Sequence, residues 1–219
     1  VLYGEVSPYS ATRLERYSAC AFAHFLQYGL KLTERAEYEF RAMDMGNIMH
    51  KVLESLIKEV NKEMLSLAEL SEEERDALAD RLVDEISADY GNTILKSSAR
   101  NEYMIQRTKR MVRRTVWAIQ KQLKSGEFEP EGVEVVFQGG RIDRVDTMET
   151  DDGKLYVRVI DYKTGNTSFD LVSLSHGLQL QLMIYMDGAL TVEQNKHKDK
   201  DVIPAGVFYY NIKDPMIQE

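Results

Sequence analysis

Arg141-Ile142-Asp143-Arg144-Val145-Asp146-Thr147-Met148-Glu149-Thr150-Asp151-Asp152-Gly153-Lys154-Leu155-Tyr156-Val157-Arg158-Val159-Ile160-Asp161-Tyr162-Lys163 is the stretch that decides the fold. On both sides of Asp151-Asp152-Gly153 the apolar residues recur with period two. That pattern predicts strands over 141–148 and 155–163, joined by a three-residue loop with glycine in the left-handed position. With that loop Thr150 faces Lys154, and the same count sets Asp143 opposite Asp161; a two-residue turn would shift the register by one. Leu155, Val157 and Val159 share one face of the second strand with Asp161 and Lys163. The first three belong in a core. Either the strand surfaces at its end and the last two form an exposed pair, or the charges are held, because buried charge is costly unless paired or bound to a metal. Like charges directly opposite each other destabilise a sheet. A divalent cation between Asp143 and Asp161 would turn that repulsion into ligation. Hard carboxylate oxygens without a thiolate suit Mg²⁺ or Mn²⁺. Two carboxylates with a lysine two residues on are the smallest set for metal-assisted phosphodiester hydrolysis.

Outward from this hairpin, Val133–Gln138 reads as a preceding strand, followed either by an abrupt turn at Gly139-Gly140 or by a loop of which part is absent from this sequence. A helix over about 174–190 and a strand over Val202–Tyr210 follow. The first half reads helical. Ser10 is a candidate N-cap for a helix through Tyr28, with Gly29 as its stop. Met49, Val52, Leu53, Leu56, Ile57 and Val60 recur at three- and four-residue steps in a helix from Asp44 to about Leu67. Ser71-Glu72-Glu73-Glu74 is a capping box that opens an acidic helix ending near Gly91. A fourth helix covers about 98–124. The expected fold class is α/β, with a small mixed β-sheet flanked by helices and a helical N-terminal half. The expected organisation is one domain over 1–219, mainly helical over 1–125 and sheet-bearing over 126–219.

The chain has 219 residues, 43% of them hydrophobic and 29% charged, which excludes a predominantly disordered polymer. No apolar run approaches the ~18 residues that span a bilayer, so no membrane partner is expected. The first residues are neither basic nor followed by an apolar core, so no signal peptide is expected. Val1 in place of Met predicts a piece of a longer chain. A single cysteine fits a reducing compartment, the cytoplasm. The net charge of −8 hides a dipole. Residues 69–89 hold nine acids against Arg75 and Arg81, whereas residues 100–124 hold eight bases against Glu102. On the fourth helix Ile105, Val112, Val116, Ile119 and Leu123 fall within about 60° of one another. Arg100, Arg107, Arg110, Arg114 and Lys121 cluster opposite. Such a stripe is either a solvated face or a phosphate-contacting one, with Arg107, Arg110 and Arg114 as the candidate DNA contacts.

Three motifs in order resemble the successive motifs of RecB-type PD-(D/E)XK nucleases: Gly140-Arg141-Ile142-Asp143-Arg144-Val145-Asp146, Asp161-Tyr162-Lys163-Thr164-Gly165 and Gln181-Leu182-Met183-Ile184-Tyr185. Further motifs extend the resemblance to nearly the whole chain. They are Ser10–Glu15 with Cys20-Ala21-Phe22, Gly29-Leu30-Lys31-Leu32, Gly46 with His50, and Pro204-Ala205-Gly206 followed by Tyr209–Pro215. Together they are similar to the C-terminal nuclease domain of the AddB-type component of the bacterial ATP-dependent helicase–deoxyribonuclease.

The resemblance implies a restriction-endonuclease-like core and a set of site residues. His50, Asp143, Asp161 and the Tyr162 backbone carbonyl would hold the metal, and Lys163 would be the catalytic lysine. Gln181 and Tyr185 would form the Gln-x-x-x-Tyr motif beside the bound strand. Glu134 occupies the place where such nucleases often carry an acid on the first sheet strand. Cys20 matches one of four iron–sulfur ligands. The other three lie beyond this chain, and cluster ligation needs four thiolates, so no cluster is expected here; Ala21 replaces the family's proline. The implied function is a Mg²⁺-dependent deoxyribonuclease module of a bacterial helicase–nuclease. It would act in double-strand break repair and recombination, with single-stranded DNA as substrate, a helicase partner subunit and the 5′-terminated strand digested. The alternatives are a non-catalytic DNA-binding or subunit-docking module, or another RecB-like exonuclease such as a CRISPR-associated one.

Overall fold

A computed structural model describes residues 10–32, 42–89 and 99–213. The expected stop at Gly91, the Arg100 side chain and residues 214–215 of the Tyr209–Pro215 motif lie outside the described residues. In chain order the elements are α1 (Ala11–Ala19), α2 (Ala21–His24), a π-helical turn (Phe25–Gly29), α3 (Ala42–Lys62), α4 (Glu72–Asp89), α5 (Ala99–Lys124), β1 (Glu129–Phe137), β2 (Gly140–Glu149), β3 (Lys154–Lys163), α6 (Leu171–Ser175), α7 (Gln181–Lys196) and β4 (Asp201–Asn211). No helix among the described residues is long and apolar enough to cross a membrane.

The four strands form one sheet in the order β1-β2-β3-β4. β2 and β3 pair antiparallel, with Arg144 opposite Ile160 and Val145 opposite Val159. Their loop is the expected one. Gly153 has φ +78°, the Thr150 amide donates to the Lys154 carbonyl at 3.0 Å, and the Gly153 amide donates to the Thr150 carbonyl at 2.9 Å. Continued one step, the same register sets Asp143 opposite Asp161. β4 runs parallel to β3: Asp201, at its start, lies near Lys154, and the amide of Ile212, just past its end, donates to the Lys163 carbonyl at 2.7 Å. The sheet is therefore mixed.

Two of the expected helices are broken. The one through Tyr28 stops at Cys20, whose extended backbone at φ −164° ends α1 and starts α2. The one over 174–190 is split into α6 and α7. Asp170 caps α6, and Gly177 at φ +72° closes it, where a side chain would meet the Ser18 hydroxyl at 2.8 Å. The capping box at Ser71 forms as expected, with reciprocal bonds between Ser71 and Glu74.

The described residues fall into two compact units. The first lies within Val1–Tyr38, Glu134–Asp161 and Thr167–Tyr209. Its core is Ile142, Val145, Val157, Val159 and Ala189, with Val135, Phe137, Tyr185, Met186 and Leu190 against it. Phe137 sits where two glycines leave room: a Cβ on Gly188 or Gly139 would come within 2.3 or 2.5 Å of its ring. Arg144 and Asp146 are fully buried in this unit. The Arg144 guanidinium grips the Asp146 carboxylate at 2.7 and 2.8 Å, and Arg158 adds a contact at 2.6 Å, so the buried charges are paired.

The second unit lies within Glu39–Val133, Tyr162–Asn166 and Tyr210–Glu219. Here α3, α4 and α5 pack through Met49, Val52, Leu56, Ala79, Val83, Val112, Val116 and Ile119, all almost fully buried. The buried Gln120 amide donates to the carbonyls of Leu67 and Leu70 at 3.1 and 2.7 Å, and its oxygen accepts from Arg75 at 2.9 Å. Sequence alone left the basic helix α5 without compensating charge, and the acidic helix α4 supplies part of it. Arg113 pairs with Asp80, and Lys109 with Asp84 at 2.7 Å.

Candidate metal and nuclease site

In the first unit the sheet carries Asp143 on β2, Asp161 on β3 and Glu134 on β1. Asp161 is 2% exposed. A carboxylate oxygen of Glu134 lies within 4.8 Å of one on Asp143. Such an approach is repulsive unless a cation or proton sits with it. Arg141 also forms an ion pair with Glu134. Glu134 adopts φ +52° in mid-strand, a left-handed backbone that is costly for a side chain of this kind. The two-residue turn at Gln138-Gly139 brings Glu134 and Asp143 together with little chain between them.

α7 lies against β2 and brings the Gln-x-x-x-Tyr pair to the carboxylates. The Gln181 side-chain amide donates to the Tyr185 hydroxyl oxygen at 3.0 Å, the i,i+4 contact their spacing allows. This leaves the phenol's own proton to donate elsewhere. Burial pushes the Tyr185 phenol above its ordinary range, and Asp161, Asp143 and Glu15 add to the rise against the Gln181 bond. Tyr209 on β4 is raised to about 12 by burial first, then by Asp161 and Glu15. Both phenols are therefore neutral donors at physiological pH beside several carboxylates.

Two of these residues were not assigned a role from sequence. Tyr209 lay inside a quoted motif with nothing to mark it as a neighbour of Asp161. Glu15 lay in the Ser10–Glu15 motif. Its carboxylate accepts from the Gln181 backbone amide at 2.9 Å, at the start of a helix whose own N-cap residue, Leu180, makes no side-chain capping bond. A carboxylate there satisfies an otherwise orphaned amide and sits favourably at the positive end of the helix dipole.

The second unit holds His50, Tyr162, Lys163 and the candidate DNA-contacting arginines. Gly46 on α3 lets Thr164 approach, since a Cβ there would lie 3.2 Å from its hydroxyl. One turn later, half-buried His50 meets Tyr162 edge-on at 6.0 Å, and Tyr162 meets Tyr210 at 5.7 Å. Lys163 is half-buried at the end of β3. On α5, Arg110 and Arg114 are exposed, whereas Arg107 is half-buried. Cys20 is an exposed free thiol whose sulfur accepts from the Ala23 amide at 3.5 Å.

A family model described as the PD-(D/E)XK nuclease superfamily matches residues 8–219. The chain is 47% identical over 224 residues to the B subunit of the ATP-dependent helicase/deoxyribonuclease of Lachnoclostridium phytofermentans, an alignment that covers 99% of this chain and 19% of that protein. It is 40% identical over 237 residues to the protein of the same name from Caldanaerobacter subterraneus, and 36% identical over 237 to that from Alkaliphilus metalliredigens. Each of these alignments covers 99% of this chain and 20% of the relative. The chain thus spans about a fifth of the length of these relatives. The sheet with its clustered acids, the Gln181–Tyr185 pair and a match running from residue 8 to the last residue agree on one assignment: the chain belongs to the PD-(D/E)XK nuclease superfamily.

Proposed function

We propose that residues 1–219 form a single nuclease domain of a longer bacterial helicase–deoxyribonuclease subunit, cytoplasmic and working with a helicase partner. In this reading it hydrolyses phosphodiester bonds of single-stranded DNA with Mg²⁺ or Mn²⁺ during double-strand break repair and recombination. The observation that carries the reading is the close carboxylate pair Glu134–Asp143, on the sheet that also carries buried Asp161, beside the hydrogen-bonded Gln181–Tyr185 pair. All of the carboxylate donors are hard oxygens, which fits Mg²⁺ or Mn²⁺ rather than a thiophilic ion. Asp143 and Asp161 would hold the ion, and Glu134 joins them as a candidate. The resemblance adds His50 and the Tyr162 carbonyl.

When bound, the ion lowers the pKa of water and offsets charge on the phosphoryl oxygens. The chain's own residues do the rest. Lys163 orients the nucleophile and stabilises charge on the attacked phosphate. Gln181 fixes the Tyr185 phenol, and that phenol, held neutral, donates a hydrogen bond to the strand. Glu15 holds the start of α7, and with it Gln181, in position.

The test is digestion of end-labelled single-stranded DNA with and without Mg²⁺. Cleavage should need the ion. Lys163→Ala should remove cleavage and leave single-strand binding in EDTA within a small factor, because its part is played in the transition state. Equal loss of binding and cleavage would make Lys163 a phosphate clamp. Absence of Mg²⁺-dependent cleavage in the unaltered chain would return the domain to a binding or docking role.

A further inference from the structure

The outward face of α5 carries a row of aromatic and cationic side chains. At about 100° per residue, Tyr103, Arg110, Arg114, Trp117 and Lys121 fall within about 60° of one another, over a rise of about 27 Å. Tyr103 is 59% exposed and Trp117 46%, so both rings present a large part of their surface to solvent. Each is paired with a cation. The Arg110 guanidinium lies 6.0 Å from the Tyr103 ring centre, and the Lys121 ammonium 5.8 Å from that of Trp117. The bases of α5 thus divide in two. Lys109 and Arg113, on the flank toward α4, are neutralised by Asp84 and Asp80. Among the described residues Arg110, Arg114 and Lys121 have no carboxylate within ion-pair distance.

We infer that this stripe is a binding surface for single-stranded nucleic acid, with Trp117 and Tyr103 stacking on bases and Arg110, Arg114 and Lys121 contacting phosphates. The inference rests on the reading of the chain as acting on single-stranded DNA, and adds to it a holding surface built from one helix. Charge and geometry choose the occupant. A linear track of cations without carboxylate partners among the described residues matches an extended anion. Aromatic rings spaced along it offer π-faces that any base accepts, so the surface grips without sequence preference. A protein-binding patch is expected to be rounder, to have an apolar centre and to be depleted in lysine.

Trp117 is the only tryptophan in the chain, so its fluorescence reports on this stripe alone. The 219-residue chain is titrated in EDTA with fluorescein-labelled oligo(dT) of about 12 nucleotides, within the ~4–16 covered by a typical single-strand site. Label anisotropy and Trp117 emission are followed together. Binding should quench Trp117. Trp117→Ala should weaken binding by about 10-fold, a loss of ~1.4 kcal/mol for one base stack. Trp117→Phe should keep most of the affinity without the fluorescence signal. Arg110→Gln and Arg114→Gln should each lower the salt slope by about 0.7.

The inference is overturned if oligo(dT) binds with Trp117 emission unchanged and Trp117→Ala binds as tightly as the unaltered chain. It is also overturned, in favour of an acidic protein surface, if poly-glutamate of matched charge displaces oligo(dT) as well as unlabelled oligo(dT) does. A separate assay with Mg²⁺ keeps the two readings apart. Quenching without cleavage defeats the nuclease function alone, and cleavage without quenching defeats the stripe alone.

Discussion

Tyr209 shows what one residue's surroundings do to its chemistry. Its phenol lies near Asp161 and Glu15, and burial with those charges raises it to about 12 from an ordinary value near 10. The folded state therefore resists ionisation of this group more than the unfolded state does. The stability this contributes is complete below pH ~10 and is lost as pH climbs through about 12. A spectrophotometric alkaline titration should show a tyrosine ionising near pH 12 that is absent from Tyr209→Phe, and that variant should lose stability less steeply between pH ~10 and 12. A Tyr209 that titrates like a free phenol would place it away from the carboxylates. Sequence could not mark this residue, because its importance comes from neighbours on other elements. Asp143, Asp161, Lys163, Gln181 and Tyr185 were marked because motif order carries them. Glu134 stood out less, since its kinked backbone has no glycine to announce it.

Among the elements, the β2–β3 hairpin was legible and the helices around it only partly so. Asp151-Asp152-Gly153 specifies its own loop through a glycine in the left-handed region, and the loop fixes the register. The breaks at Cys20 and Gly177 are harder to read. A cysteine is no helix stop by itself, and Gly177 is needed for its φ and for its closeness to Ser18, which lies far off in sequence. The same reasoning applies to Gly188, which reads as a weak spot inside α7 yet is what admits Phe137. Gly188→Ala should destabilise the protein by about 1–3 kcal/mol by overpacking, as read from denaturant unfolding. The double variant with Phe137→Ala should cost less than the sum of the two single changes, because both act on one contact. Additive losses would show that the two residues do not share it.

For the molecule as a whole, the charge dipole was visible in sequence but its resolution was not. Acidic α4 and basic α5 are consecutive helices, and only their packing shows that one flank of α5 is spent on Asp80 and Asp84 while another is left outward. Cys20 is exposed, and four-thiolate cluster ligation needs three more cysteines than the one in these 219 residues. The folded 219-residue chain should release one equivalent of chromophore with a thiol reagent before any denaturation, and it should be colourless. A brown protein containing iron would show that chains pool their single cysteines around a shared cluster.

The left-handed backbone at Glu134 has a consequence for how this protein can evolve. Glycine adopts φ +52° at little cost, so Glu134→Gly should raise the melting temperature while lowering nuclease activity. Selection for robustness alone would drift toward glycine at that position. A glutamate kept there against such drift would mean that the site is maintained at the expense of the scaffold. Replacing Glu134 separates the two demands in one experiment: a variant that melts higher and cuts less marks a trade-off between durability and catalysis, fixed in a single backbone angle.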